Sequence, residues 1–253
     1  MPNLQEQFGE IDIYLFDQLL RGRIKPGMRI LDAGCGSGSM TRLLASTHRD
    51  AHVVGIDLRL DYISYASERA SQEGLQNVEF QQGNIFDLPF AVSTFDVVWS
   101  KYVLQWVKAP HLAIGEFRRV TKRGGVVVCA AFDGFAVTHW PEDPQLQPKL
   151  EQVFPYLVDP FIGRKMAPMF IDAGFININV ELEPDRLFTV IGVIDEERRR
   201  NWIEQLTAAR PYIAQVLGDE READQFVGRF LAFQDRPDTC SYTALYFVRG
   251  TAP

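Results

Sequence analysis

Short apolar runs alternate with amphipathic stretches through the first half of the chain, the pattern of parallel strands joined by crossover helices. Strands are predicted over Arg29–Ala33, His52–Asp57, Val78–Asn84, Phe95–Ser100 and Gly125–Phe132, with helices in most of the intervals. Ahead of them, Ile13, Phe16, Leu19 and Leu20 fall at helical spacing, which predicts an N-terminal helix read from Asp12 to Leu20 and bounded within 10–22. Lys25-Pro26-Gly27 breaks that helix from the first strand. After Phe132 the rhythm changes: Pro141, Pro144, Pro148, Pro155 and Pro160 punctuate a stretch rich in Phe, Tyr and Met, read as an insertion or lid. A last strand pair is predicted at Phe175–Leu182 and Ser241–Arg249, with two polar helices between, Asp195–Leu217 and Asp219–Phe233.

The expected fold is α/β, doubly wound and Rossmann-like. It has a seven-stranded, mostly parallel sheet, an antiparallel C-terminal strand and a helical cap built from about 133–172 and 185–240. At 253 residues and 46% hydrophobic side chains, the chain suits one large core, so 1–253 is read as a single domain. A formal charge of -7 supplies no overall field to draw phosphate backbones or anionic lipid, and neither nucleic acid nor membrane is an expected partner. Cys35, Cys129 and Cys240 are widely spaced and lack neighbouring His or Cys, so no metal site is expected and a reducing, cytoplasmic compartment is. Met1–Gly9 is mostly polar, and no window approaches the ~20 apolar residues of a membrane span.

The chemistry concentrates after the first strand. In Ile30-Leu31-Asp32-Ala33-Gly34-Cys35-Gly36-Ser37-Gly38, three alternating glycines allow a sharp turn and the close approach of a ligand, and the helix that follows offers free N–H groups. Asp57 ends the second strand nineteen residues beyond Gly38, where a carboxylate can accept both hydroxyl hydrogens of a ribose. A dehydrogenase fingerprint counted from Gly34 would need glycine at position 39, which is Ser39 here; the third glycine comes one residue early, and Asp32 stands two residues before the first.

Leu31–Gly38 resembles motif I of the class I S-adenosylmethionine (SAM)-dependent methyltransferases, especially the small-molecule enzymes similar to those of ubiquinone and menaquinone biosynthesis, and the similarity extends to about residue 132. The resemblance implies SAM as cofactor, with Asp32, Gly34, Gly36, Gly38, Asp57 and Leu58 around it. Gly83-Asn84-Ile85 and the following Phe86-Asp87-Leu88-Pro89-Phe90 resemble the segment that reads adenine, giving that role to Asn84 and Ile85, although the family residue at position 84 is usually Asp. Phe95–Ser100 resembles the strand beside the reacting methyl, which brings Ser100, Lys101 and Gln105 near the chemistry. Tyr14 stands where similar enzymes close a tyrosine over the cofactor.

A methyltransferase must hold a nucleophile in line with an already electrophilic methyl and exclude water. His139, in the loop after the fifth strand, is the candidate base. Phe132, Phe135, Trp140, Phe154, Tyr156, Phe161, Met166, Met169 and Phe170 supply candidates for an apolar acceptor pocket, with only a minority expected to touch substrate. The run Arg198-Arg199-Arg200, beside Glu196 and Glu197, reads as a solvated helix face. Two alternatives stand: a nicotinamide-dependent oxidoreductase, and a SAM-binding protein that transfers no methyl. The expected reaction is methylation of oxygen, nitrogen or carbon on a small, apolar or aromatic molecule.

Overall fold

In the computed structural model, which describes residues 20, 24–185 and 188–253, the apolar runs become β1 (Arg29–Ala33), β2 (His52–Asp57), β3 (Val78–Gln82), β4 (Phe95–Lys101) and β5 (Thr121–Asp133). Of the N-terminal helix expected over 10–22, only Leu20 is among the described residues, and Tyr14 lies outside them. With β10 (Ala244–Thr251) and β7 (Ile176–Pro184) these strands form a seven-stranded sheet in the order β3-β2-β1-β4-β5-β10-β7. β1 pairs in parallel with both β2 and β4, while β10 runs antiparallel to both β5 and β7. One strand therefore opposes the other six, which is the mostly parallel sheet with an antiparallel C-terminal strand that the sequence pattern predicts.

The central strands are apolar throughout because both faces are covered. Leu20 and α1 (Ser39–Thr47) pack with Ile30, Val53, Val97, Trp99 and Phe247 on one face. On the other, α3 (Pro110–Val120) and α5 (Ile162–Asp172) bury Ile114, Phe117, Met166 and Phe170 with Leu31, Val54 and Val98. In the first half of the sheet, α2 (Leu60–Gln72) links β2 to β3. Chain order reverses between β1 and β4, so their carboxyl ends open the crevice at which such sheets bind ligands.

Beyond β5 the chain builds a cap from α4 (Gln147–Leu157), α6 (Glu196–Leu217), α7 (Glu220–Gln234) and a small sheet of β6 (His139–Trp140), β9 (Cys240–Ser241) and β8 (Val190–Ile191). The two long cap helices start where short acids can cap them: Asp195 accepts from Arg198 N at 2.8 Å and Asp219 from Glu222 N at 2.7 Å. The cap has its own aromatic core of Phe135, Phe154, Trp202, Phe226, Phe230 and Phe233.

Beyond shifts of a residue or two at strand ends, the structure departs from the sequence reading in three places. β5 begins at Thr121 rather than Gly125, because Thr121 already pairs with Phe95 before a register shift carries the ladder to Val126. The last predicted strand divides, Cys240–Ser241 joining the cap sheet and Ala244–Thr251 the main one. Helix α5, assigned from sequence to the cap, belongs to the sheet layer, so Met166 and Phe170 are core residues rather than pocket lining.

Candidate functional site

The turn after β1 is bound to the end of β2 by its own backbone. Gly34 and Cys35 both donate N–H to the Ile56 carbonyl, at 2.8 and 2.9 Å, and Gly36 donates to Asp57 Oδ2 at 2.9 Å. Gly34 has φ +82°, and a Cβ there would lie 2.3 Å from a Val103 methyl, so the segment leaving β4 rests directly on the turn. Gly38, with φ +76°, starts α1 without a side-chain cap, and a Cβ on it would meet Ala66 and Phe80 at 2.6 Å. These two positions admit glycine alone, for lack of space as much as for conformation. The first-turn N–H groups of α1 keep their capacity for an outside acceptor.

Asp57 faces the turn with both oxygens engaged, Oδ2 by Gly36 N–H and Oδ1 by Arg59 N–H at 3.0 Å. A carboxylate has about four acceptor positions, so two remain for ligand hydroxyls. Next to it, Leu58 is 67% exposed, an apolar side chain left in the open beside a polar turn. The segment after β3 closes in from the side: Gly83 N–H donates to the Asp57 carbonyl at 2.9 Å, and Gln82 Nε2 to the Leu58 carbonyl at 3.0 Å. Asn84 Oδ1 accepts from Phe86 N–H at 3.0 Å, which leaves its amide NH₂ to donate elsewhere, while Ile85 is buried.

Two expected contacts face inward. Asp32 is buried and its Oδ2 accepts from Thr41 Oγ1 at 2.6 Å, which braces the first turn of α1 from beneath. Ser100 is buried too, its hydroxyl donating to the Ala33 carbonyl at 2.8 Å across the β4–β1 seam. Gln105, in the 3-10 turn Leu104–Trp106, differs from both: it is 3% exposed, and its Oε1 has no hydrogen-bond partner among the described residues. A buried amide oxygen without a donor costs free energy unless a ligand or water supplies one.

Electrostatically the turn is acidic. Burial, reinforced by Asp32 and Asp57, pushes the Cys35 thiol well above its ordinary range, so it stays protonated and is no nucleophile. Among the described residues no group of three His, Cys, Asp or Glu is placed to hold a metal ion.

His139 is not brought to this turn. It lies in the cap, with Nδ1 2.8 Å from Ser241 Oγ and Nε2 2.9 Å from the Ala136 carbonyl, against the rings of Phe230 and Phe233. A carbonyl only accepts, so Nε2 carries the proton and Nδ1 accepts from the Ser241 hydroxyl, whose oxygen in turn accepts from Gln234 Nε2 at 2.8 Å. Burial pulls the ring's pKa down, against the pull of the Ala136 bond, so the neutral form is favoured. Both nitrogens are occupied by partners within the cap. Of the arginine run, Arg198 pairs with Asp195 and Arg199 with Asp235, as a solvated face does.

Sequence reasoning passed over Tyr102 and Asp185. Tyr102 follows β4 directly with φ +57°, and its hydroxyl donates to the Asp185 carboxylate across the join between sheet and cap. Asp185, 1% exposed, also accepts from Phe188 N–H at 3.1 Å. An aromatic residue just past the end of a central strand was a readable signal; an acid 83 residues away was not.

A family profile described as a methyltransferase domain matches residues 24–174, more than half of the chain. An uncharacterized methyltransferase of Schizosaccharomyces pombe is 27% identical over 219 residues, covering 83% of this chain and 77% of that protein. A demethylmenaquinone methyltransferase of Lactococcus lactis is 29% identical over 200 residues, covering 77% of each. Among solved structures, a phosphoethanolamine N-methyltransferase of Haemonchus contortus, in complex with phosphomonomethylethanolamine and S-adenosylhomocysteine, shares the fold with a TM-score of 0.60 at 21% identity, over 93% of this chain and 51% of that one.

Proposed function

The chain belongs to the methyltransferase-domain family, and from that premise we propose that this SAM-dependent methyltransferase methylates a small apolar or aromatic molecule at the carboxyl ends of β1, β2 and β4. The observation that carries the reading is the Gly36–Asp57 bond: it fixes a carboxylate with two spare acceptor positions against a turn whose first and last glycines have no room for a Cβ.

SAM, when bound, supplies a methyl that is already electrophilic. The chain's task is to hold the cofactor and the acceptor and to keep water away. Asp57 would accept the two ribose hydroxyls. The turn through Gly34, Gly36 and Gly38 would carry the amino-acid tail, with Asp32 bracing it and Ser100 locking β4 to β1. Leu58 and Ile85 would lie along the adenine, and Asn84 would donate its NH₂ to a ring nitrogen, where an Asp would accept from the exocyclic amine. Gln105 Oε1, without a donor among the described residues, would take a hydrogen bond from the cofactor's ammonium. Tyr14, outside the described residues, is read as closing over the same ligand.

For the acceptor, Phe132 lies beside Tyr102, Phe135 stacks on Phe132 and Phe188 meets Phe135 edge-on, an aromatic cluster at the base of the cap that supports an apolar or aromatic molecule. The formal charge of -7 favours a small molecule over nucleic acid. Among the described residues no helix is long and apolar enough to cross a membrane, and the free thiols of Cys35, Cys129 and Cys240 support a cytoplasmic setting. We read His139 as part of the cap's framework rather than as the base.

Equilibrium binding of SAM against NADH, followed by a mass-spectrometric screen of small molecules for the gain of one methyl group, tests the assignment. Micromolar SAM binding and a methylated aromatic product are expected. Tight NADH binding without SAM binding would overturn it, and product formation confined to charged aliphatic amines would overturn the acceptor class.

A further inference from the structure

We propose that β7 is an interface for a second copy of this chain: the edge strands of two copies pair antiparallel about a two-fold axis at Val180 and join the two sheets into one. The inference concerns assembly and is independent of the acceptor.

β7 stands last in the sheet order, bonded along one side to β10, and no other strand among the described residues pairs with it. Nine residues long, it presents a row of N–H and C=O groups that can take on a further strand. Its side chains alternate. Ile176, Ile178, Val180 and Leu182 share a face, and Val180 and Leu182 stand in register with Val248 and Tyr246, which pack in the core under α5. α5 closes over β10, where Gly163 lies against the Tyr246 ring, but its cover thins toward the edge: Ile176, Val180 and Leu182 are 48%, 37% and 53% exposed. Edge strands are ordinarily protected by charges, and a line of open apolar side chains marks a surface built to be covered.

The order of residues along β7 selects the partner. In an antiparallel pair centred on Val180, Ile178 faces Leu182 of the second copy, Val180 faces itself and Asn179 faces Glu181 of the second copy. An amide NH₂ has two hydrogens: Asn179 gives one to Glu181 of its own strand, at 2.8 Å, and can give the other to Glu181 of the second copy. Other alignments fail. A parallel in-register pair sets Glu181 on Glu181 and Glu183 on Glu183, and an antiparallel pair centred on Glu181 or Leu182 also sets glutamate on glutamate. Centring on Ile178 or Asn179 draws Asn177 into the ladder, where a φ of +51° and the register shift between Arg249 and Thr251 interrupt the strand. Centred on Val180, the pairing of 178–182 stays clear of Asn177 and of Pro184, which has no N–H to give.

Both copies use the same edge, so the assembly closes at two and does not grow into a fibre. The axis stands normal to the sheet, which leaves α5 of each copy on the same face, flanking the joined apolar row.

Sedimentation velocity of the full chain from about 1 to 200 µM, a range suited to a small interface, tests the proposal. The wild type should pass reversibly from monomer to dimer. Val180→Lys, which sets two like charges face to face at the axis, should stay monomeric at the highest concentration while keeping the circular dichroism of the wild type. Val180→Cys brings the same sulfur to both sides of the axis and should form a covalent dimer on mild oxidation. Leu182→Cys should not, because its two copies would lie roughly 13 Å apart along the strands. The wild type, in which Cys240 is partly exposed, is the control for native thiols. Should Val180→Lys fail to fold, Val180→Cys carries the test. A wild type that is monomeric at every concentration, a dimer that survives Val180→Lys, or cross-linking of Leu182→Cys in place of Val180→Cys would each overturn the proposal.

Discussion

Gly36 and Asp57 are joined by a 2.9 Å hydrogen bond from backbone N–H to carboxylate, so the turn that would cradle the cofactor's tail and the acid that would hold its sugar form one unit. Removing the acid damages both. A hydrogen bond to a charged group is worth ~1.5–3 kcal/mol, so Asp57→Ala, which loses two ribose contacts and loosens the turn, is expected to weaken S-adenosylhomocysteine by at least about 150-fold. Asp57→Asn, which keeps an oxygen for Gly36 but loses acceptor positions, should fall between. Isothermal calorimetry reads the difference, and an Asp57→Ala variant within threefold of wild type would refute the role.

Gly34→Ala tests the same turn from the other side. The added methyl meets Val103 at 2.3 Å on a backbone with φ +82°, where strain costs ~1–3 kcal/mol even in open space. The variant should melt several degrees lower and lose cofactor affinity. Adding Val103→Ala removes the clash but not the backbone strain, so the double variant should recover part of the melting temperature and no more. Full recovery would mean that the turn does not require its left-handed residue.

Legibility followed the range of the signal. The central strands and the glycine turn were readable because each is a local pattern: short continuous apolar runs, three glycines at alternate positions, an acid at a strand end. Gly34 and Asp57 meet because adjacent parallel strands β1 and β2 end together, a consequence of topology that the pattern already implies. The cap was not readable in the same way. Met166 and Phe170 have the composition of pocket lining, yet α5 turns them under the sheet; His139 has the composition of a base, yet Ser241, from a strand about a hundred residues on, occupies its Nδ1. The Tyr102–Asp185 pair spans the join of sheet and cap, a contact that no spacing encodes.

His139 should govern stability rather than turnover. Its pKa is lowered by burial, so between that value and the ordinary one of about 6.5 the unfolded chain binds a proton that the folded chain refuses. Stability is therefore full above about pH 6.5 and declines as pH falls through the depressed folded value. Urea midpoints measured from pH 8 down to pH 5 should fall in the wild type more steeply than in His139→Gln. His139→Ala should cost ~1–3 kcal/mol by stranding the Ser241–Gln234 network, while methyl transfer per folded molecule stays within threefold. A loss of kcat beyond tenfold in a well-folded His139→Gln would restore it as a base.

Gln105 carries the sharpest trade between stability and binding. Its amide oxygen is buried without a donor among the described residues, and its backbone carbonyl accepts from Asp159 N–H at 2.9 Å, so the residue is fixed where the cap begins and cannot swing out to water cheaply. An unsatisfied buried acceptor costs ~1–3 kcal/mol, and replacement by an apolar side chain of similar length removes that cost. Gln105→Met should therefore raise the melting temperature of the ligand-free protein by a few degrees. If the oxygen is kept for the cofactor's ammonium, the same change should weaken S-adenosylhomocysteine about tenfold and shrink the upward shift in melting temperature that the ligand causes. The two effects have opposite signs and come from a single atom, which separates a binding role from a packing role: a packing residue would lose stability on substitution and leave the ligand-induced shift intact. Differential scanning fluorimetry with and without S-adenosylhomocysteine measures both quantities on one sample.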